Sequence, residues 1–295
     1  MPFFSLLSYA ILRIAAAGLR LIPLPAASWG ADAAMRLLAM FMPARRRIAL
    51  EQARRSFPSD PAAAGRAASE SLGHLGRLSA EFVRQNALPP ACRVAGLETI
   101  GPMLAAMADG RGLILCTGHF GNWERGGALA AALGIIEGAI ARPLAHPLVD
   151  AWIRRIREGS GQKIFDKAGS IRRDVLPVLR AGKGFGILID QDAGPGGIFV
   201  PFFGRLASTT ATPARLSFRT GAPLVVATVL RDGRPGYFKL AAGPVRLPAQ
   251  GNDERGEIHR LTALITRDLE DLIRLSPGQY LWMHRRWKTR PRNET

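Results

Sequence analysis

From Val94 onward, short apolar runs of strand length alternate with longer helical stretches, and this alternation limits the possible folds more than any other feature of the chain. The strand candidates are Gly112–Thr117, Ile135–Ala141, Gly184–Asp190, Ile198–Phe203, Pro223–Leu230 and Tyr237–Ala241, and a long last helix is expected near Asp253–Leu275. Strands joined through helices pair in parallel and are covered on both faces. The pattern therefore predicts an α/β fold with a central mixed, largely parallel sheet flanked by helices. A chain of 295 residues with 47% hydrophobic content can bury such a core.

Upstream of Val94 the pattern is helical throughout. Met1–Leu24 is almost wholly apolar, broken by Arg13 and Arg20, which lie seven apart and so share one helical face. Neither uncharged stretch reaches the roughly 18 residues of a clear spanning helix, and the extreme N-terminus lacks the cationic region of a signal peptide. Residues 1–25 are therefore expected to be a membrane-associating helix, interfacial or shallowly inserted, with its arginines reaching surface phosphates. Pro23 and Pro25 end it, and a second apolar helix follows around Trp29–Met42. The stretch "PARRRIALEQARRSFPSD" reads as a basic amphipathic helix closing at Pro58, and a further helix covers roughly Pro61–Asn86. "NALPPAC" marks a boundary between a helical segment over residues 26–90 and an α/β catalytic domain over 91–295.

The net charge of +17 draws the chain toward phosphate-rich or acidic partners: nucleic acid, an anionic membrane face or an acidic carrier protein. No RNA-recognition motif, zinc-finger spacing or helix-turn-helix supports nucleic acid, so none is expected as a partner. With Cys92 and Cys116 as the only cysteines, a disulfide framework and a Cys-rich metal site are both excluded. The histidines show no paired ligand spacing, so no metal and no cofactor is expected. Neither the G-x-S-x-G elbow of an α/β-hydrolase nor a phosphate-binding loop occurs.

One strand-to-helix turn gathers chemistry-bearing residues: "CTGHFGNWERGG", Cys116–Gly127. His119 falls at the carboxyl end of its strand, Gly121 permits a tight turn, Asn122 is a helix N-cap, and Glu124 sits in the first helical turn. This arrangement suits a carboxylate that holds one imidazole nitrogen while the other acts as a general base. Cys116 is expected to be a small buried hydrophobe.

His119-Phe-Gly-Asn-Trp-Glu124 resembles the signature of the bacterial lysophospholipid acyltransferase superfamily, a histidine and an acidic residue separated by four positions. Within it the chain looks like the lipid A biosynthesis acyltransferases, the lauroyl and myristoyl transferase group. The likeness runs from "RRRIALEQARRSFP" through "GHFGNWE", "ARPLAHPLVD", "LIDQDAG" and "VPFFGRLASTTATPARLSFRTGAPLV" to "QYLWMHRRWKTRP". It implies a functional arginine at Arg142, and an acidic position at Asp190 that competes with Glu124 for orienting His119, Asp192 being a weaker candidate. Val200–Gly204 reads as a pocket wall or acyl-chain contact. His284–Lys288, with Arg285, Arg286 and the tryptophans at 282 and 287, suits phosphate-bearing headgroups.

The resemblance further implies an O-acyltransferase on the cytoplasmic face of the bacterial inner membrane. It would move a fatty acyl group from an acyl carrier protein thioester to a hydroxyl of a lipid A precursor without a covalent acyl-enzyme. Backbone N–H groups near Gly121 and Asn122, or Arg142, are expected to receive the oxyanion, and the helix N-terminus to disfavour imidazolium. The alternative acceptor is another phospholipid, glycolipid or aminolipid, with acyl-CoA as donor. An alternative of a different class is a basic membrane-surface or nucleic-acid-binding protein without catalysis.

Overall fold

The computed structural model describes residues 3–87, 93–166, 171–249, 251 and 253–292. The boundary expected at "NALPPAC", with Cys92, falls on residues 88–92 and lies outside the described residues.

Four helices come first: α1 (Phe3–Leu21), α2 (Leu24–Met40), α3 (Pro43–Ser56) and α4 (Pro61–Phe82). Proline stands in the first turn of α2, α3 and α4, where its fixed φ suits a helix and its missing N–H costs nothing. The Asp60 carboxylate caps α4 by accepting from the Ala63 N–H at 2.8 Å. α4 crosses α2 in close contact because Gly76 carries no side chain: a Cβ there would stand 2.0 Å from the Ala31 carbonyl oxygen. Asp32 of α2 ties the crossing by accepting from Arg36 at 2.7 Å and from Arg77 of α4 at 2.8 Å.

The α/β part follows as β1 (Val94–Ala95), α5 (Gly101–Ala108), β2 (Leu113–Thr117), α6 (Trp123–Ala132), β3 (Gly138–Ala141), α7 (Pro147–Gly159), β4 (Lys163–Asp166), α8 (Leu176–Arg180) and β5 (Gly184–Leu188). It continues with β6 (Ile198–Phe202), β7 (Arg205–Thr209), α9 (Thr212–Thr220), β8 (Leu224–Arg231), β9 (Phe238–Ala242) and α10 (Glu254–Leu275). Among the described residues the main sheet has the order β1-β9-β8-β2-β5-β3-β4. All its pairs are parallel except β8 with β9, as the alternating pattern requires. The run Ile198–Phe203 does not join that sheet: β6 pairs with β7 as a separate antiparallel hairpin. Strands β1, β4 and β7 escape sequence reading because they are very short or carry charged and small residues.

Alternation along β2 divides the layers. Ile114 and Cys116 face the larger core, with α9 and α10, while Leu115 and Thr117 face α6. Cys116 is fully buried, as a small hydrophobe would be.

α1 docks on the body along one narrow stripe. Ala16, Tyr9 and Leu19 meet Phe82 and Val83 at the end of α4, and Trp152 and Ile156 of α7. Its arginines lean along the body yet stay exposed. The Arg13 guanidinium lies 5.7 Å from the ring centres of both Tyr9 and Trp152, and Arg20 donates to the Val83 carbonyl at 2.6 Å. The outward face is apolar: Ile11, Ile14 and Leu21 are 59%, 72% and 86% exposed, and Leu37, Leu38, Met40 and Phe41 at the end of α2 are likewise exposed. No helix among the described residues is long and apolar enough to cross a membrane.

Candidate active site

Strand register assembles the site. β2 and β5 are parallel neighbours with Thr117 opposite Leu188, and the Ile189 N–H donates to the Thr117 carbonyl at 2.9 Å. Two residues beyond each strand, His119 and Asp190 therefore stand side by side at the carboxyl edge of the sheet. Asp190 grips His119 twice: it accepts from the ring Nδ1–H and from the backbone N–H, each at 2.9 Å. An ionised carboxylate only accepts, so the Asp190 bond places the ring proton on Nδ1 and leaves Nε2 as the lone-pair nitrogen of neutral His119. Among the described residues no hydrogen bond occupies Nε2.

Glu124 does not touch that ring. Its buried carboxylate accepts from Arg157 of α7 at 2.9 Å and 2.7 Å, a two-point pair, and from the Trp123 indole N–H at 3.1 Å. Of the two acids open to the role in the sequence, Asp190 is the one bonded to His119, and Glu124 is joined to an arginine that sequence reading passed over. The two units remain adjacent, since the Trp123 ring meets the His119 ring edge-on at 5.1 Å.

These neighbours fix the acidity of the pair. Burial alone lowers the pKa of His119, but the charge and hydrogen bond of Asp190, with the charge of Glu124, outweigh it and raise the value above the ordinary one. Burial pushes Asp190 up, and the charge and hydrogen bonds of His119 more than reverse that, holding the carboxyl below its usual range. The expected disfavouring of imidazolium by the helix N-terminus is thus overturned: the adjacent carboxylates favour the proton.

A buried polar clamp holds the turn between His119 and Glu124. Arg231 of β8 donates to Glu81 of α4 at 2.9 Å and 2.6 Å, and to the His74 Nδ1 at 2.8 Å. Since Arg231 only donates, His74 Nδ1 accepts and its Nε2–H donates to the Gly121 carbonyl at 3.0 Å. Burial, reinforced by the Arg231 charge, pushes the His74 pKa down to about 3 and keeps this tautomer neutral. The Asn122 amide donates to Glu81 at 2.9 Å while its oxygen caps α6 by accepting from the Arg125 N–H. Gly121 has φ of +60°, and a Cβ there would lie 2.4 Å from the Val229 carbonyl oxygen. His74 and Glu81 lie seven apart, on one face of α4. That spacing is the one sequence signal that could have exposed them.

Several expected substrate groups take structural roles. Asn122 is 1% exposed and both ends of its amide are engaged. The Gly121 N–H donates to the Gln279 carbonyl at 3.1 Å and the Asn122 N–H to the Val229 carbonyl at 2.7 Å, so neither is free to receive an oxyanion. Arg286 is 2% exposed and donates to the Ser208 carbonyl and the Thr209 hydroxyl at 2.6 Å and 2.5 Å. Trp282, Trp287, Phe202 and Phe203 are buried together in an aromatic core, not aimed at headgroups or an acyl chain. Asp192 accepts from the Thr289 N–H and hydroxyl at 3.2 Å and 2.9 Å, pinning the C-terminal segment. Arg285 is exposed, and Arg142 is exposed just past β3.

Beside the pair, an apolar cleft opens between the sheet and α6. Leu115, Leu188, Ile140 and Val229 line it, with Ile100 just before α5 and Met103 within it, and Glu124 and Arg157 are the charged groups of its wall. No group of residues able to hold a metal ion occurs among the described residues.

Sheet, turn and cleft define an α/β protein of the His-x4-acid class, whose histidine is supported from the neighbouring strand. The chain belongs to the bacterial lipid A biosynthesis acyltransferase family, whose model matches residues 2–289. It is similar to the lipid A biosynthesis lauroyltransferase of Escherichia coli (strain K12), 30% identical over 205 residues, covering 67% of this chain and 62% of the relative. The palmitoleoyltransferase of the same organism is 28% identical over 204 residues, covering 68% and 63%. A phosphatidylinositol mannoside acyltransferase of Mycobacterium tuberculosis is 29% identical over 151 residues, covering 50% and 46%. The matched part spans less than two thirds of the length of the Escherichia coli relatives.

The raised pKa gives a direct expectation. In an NMR titration, the His119 ring should release its proton above the ordinary histidine value of about 6.5, and Asp190→Asn should move that midpoint down. A wild-type midpoint below 6.5, or one indifferent to Asp190→Asn, would contradict the pairing.

Proposed function

We propose that the chain is an O-acyltransferase that moves a fatty acyl group from an acyl carrier protein thioester to a hydroxyl of a lipid A precursor, on the cytoplasmic face of the inner membrane. The observation that carries this reading is the His119–Asp190 pair, with no hydrogen bond at Nε2 among the described residues, and the apolar cleft lined by Trp123, whose ring meets that of His119. The family membership and the two Escherichia coli relatives support the acceptor. A net charge of +17 suits both an acidic carrier protein and a phosphorylated lipid.

In this mechanism the acyl chain lies in the cleft, where each buried methylene contributes about 0.8 kcal/mol, and its thioester carbonyl stands by the charged groups of the wall. Neutral His119 takes the acceptor's hydroxyl proton through Nε2 as the oxygen attacks, while Asp190 stabilises the imidazolium that forms. His119 then returns the proton to the leaving thiolate. No acyl-enzyme is needed, and Cys116 is an unsuitable nucleophile: burial, with the charge of Asp268, pushes its thiol pKa far up.

The outward faces of α1 and α2 support attachment to a membrane. Burying an exposed leucine or isoleucine in the acyl region gains about 1.5–3 kcal/mol, and Arg45, Arg46 and Arg47 at the start of α3 are exposed beside the apolar end of α2, where they face anionic headgroups.

The test of activity is incubation of the purified protein with acyl carrier protein thioesters or acyl-CoA and a panel of lipid acceptors, read by mass spectrometry. We expect an acyl mass gain on the lipid A precursor, and His119→Ala to lower turnover by at least about 10²-fold. No transfer to any acceptor, or a folded His119→Ala variant with normal kcat, would overturn the reading, whereas transfer only to a mannosylated phosphatidylinositol would move the acceptor to a glycolipid. For attachment, membranes carrying the protein should retain it in high salt and release it in detergent, because salt screens charges and not apolar burial. Ile11→Glu with Ile14→Glu should make it salt-extractable; full release of the unsubstituted protein by salt would rule out insertion.

A further inference from the structure

The N–H groups of Gly121 and Asn122 are committed to carbonyls and offer the developing oxyanion no donor. Thr117 supplies one. It is among the residues that line the apolar cleft, with Leu115, Glu124 and Arg157, and it ends β2 two residues before His119. Its Oγ1 is buried and has no hydrogen-bond partner among the described residues. A buried hydroxyl without a partner destabilises a fold, and valine would fill the same space in a strand at no such cost. A threonine there, rather than a valine, points to a partner that arrives with the substrate. The guanidinium of Arg157 is less available, since two of its nitrogens close onto Glu124.

We propose that the Thr117 hydroxyl donates a hydrogen bond to the carbonyl oxygen of the acyl group during transfer, an inference that rests on the acyl-transfer reading above. In that step the acceptor oxygen bonds to the thioester carbonyl carbon, the π pair of the C=O moves onto its oxygen, and His119 takes the hydroxyl proton. The charge then sits on an oxygen facing Thr117 Oγ1–H. Collapse restores the C=O, breaks the C–S bond, and the thiolate recovers the proton from His119. The donor is worth most when the oxygen is charged, so its removal lowers kcat more than it raises KM.

The experiment compares wild type, Thr117→Val and Thr117→Ser with an acyl carrier protein thioester and a lipid A precursor, and measures thermal midpoints alongside. Thr117→Val keeps the side-chain shape and removes the unpaired hydroxyl, so the midpoint should hold or rise while kcat falls by about 10²-fold. Thr117→Ser should regain most of kcat. A Thr117→Val enzyme with normal kcat overturns the proposal alone, as does a Thr117→Ser enzyme that falls as far as the valine variant. Failure of the wild type to transfer at all would instead overturn the acyl-transfer reading, and this proposal with it.

Discussion

The parallel register of β2 against β5 is the constraint on which the site depends. Leu113 pairs with Gly184 and Thr117 with Leu188, so the residues two past each strand end, His119 and Asp190, are brought together by backbone pairing. A one-residue slip would present Ile189 or Gln191 to the imidazole and reverse the inward and outward faces of the strand. The register is secured because both faces are buried: Ile114 and Cys116 on one side, Phe185 and Ile187 beside them, and the cleft residues on the other. Packing of the central sheet therefore also sets the position and the acidity of the base.

The helical N-terminal part is tied into this arrangement. α4 contributes His74 and Glu81 to the clamp on Gly121 and Asn122, and α4 itself sits on α2 through the close approach at Gly76. From the other end of the chain, Leu281 N–H donates to the His119 carbonyl at 3.0 Å and the Gln279 carbonyl accepts from Gly121. The turn is thus held by a helix from the beginning of the sequence, β8 from the middle and the segment following α10. Breaking the Glu81–Arg231 pair would leave a charge buried without its partner, which is costly wherever it occurs.

The apolar strands and the His119 turn were legible because they follow local rules: apolar runs of strand length, a glycine where the chain must turn, and a capping asparagine. Asp190 was legible as a candidate because it ends an apolar run, but the choice between it and Glu124 depended on which strands are neighbours, a long-range fact. Arg157, His74 and Glu81 lie on helices that show only amphipathic periodicity, and their partners are 33, 47 and 150 residues away. The "HRRWK" block misled for a related reason. Arginines beside tryptophans look alike in a sequence when they serve an interface and when they are buried, and Arg286 and Trp287 are buried. The arginine stripe of α1 showed in the sequence only as a spacing of seven; that exposed Arg13 and Arg20 also meet Trp152 and the Val83 carbonyl is a long-range fact.

The central claim is that Asp190, through the β2–β5 register, holds and tunes the base, while Glu124 is held by Arg157. The pH dependence of kcat/KM for wild type, Asp190→Asn and Glu124→Gln, measured side by side, tests it most directly. Activity should rise with pH as His119 loses its proton, with a wild-type midpoint above about 6.5. Asp190→Asn should shift that midpoint down further than Glu124→Gln does, because it removes the charge that lies against the ring and leaves at most a neutral hydrogen bond in place of a charge-assisted one. An equal or larger shift in Glu124→Gln would contradict the account.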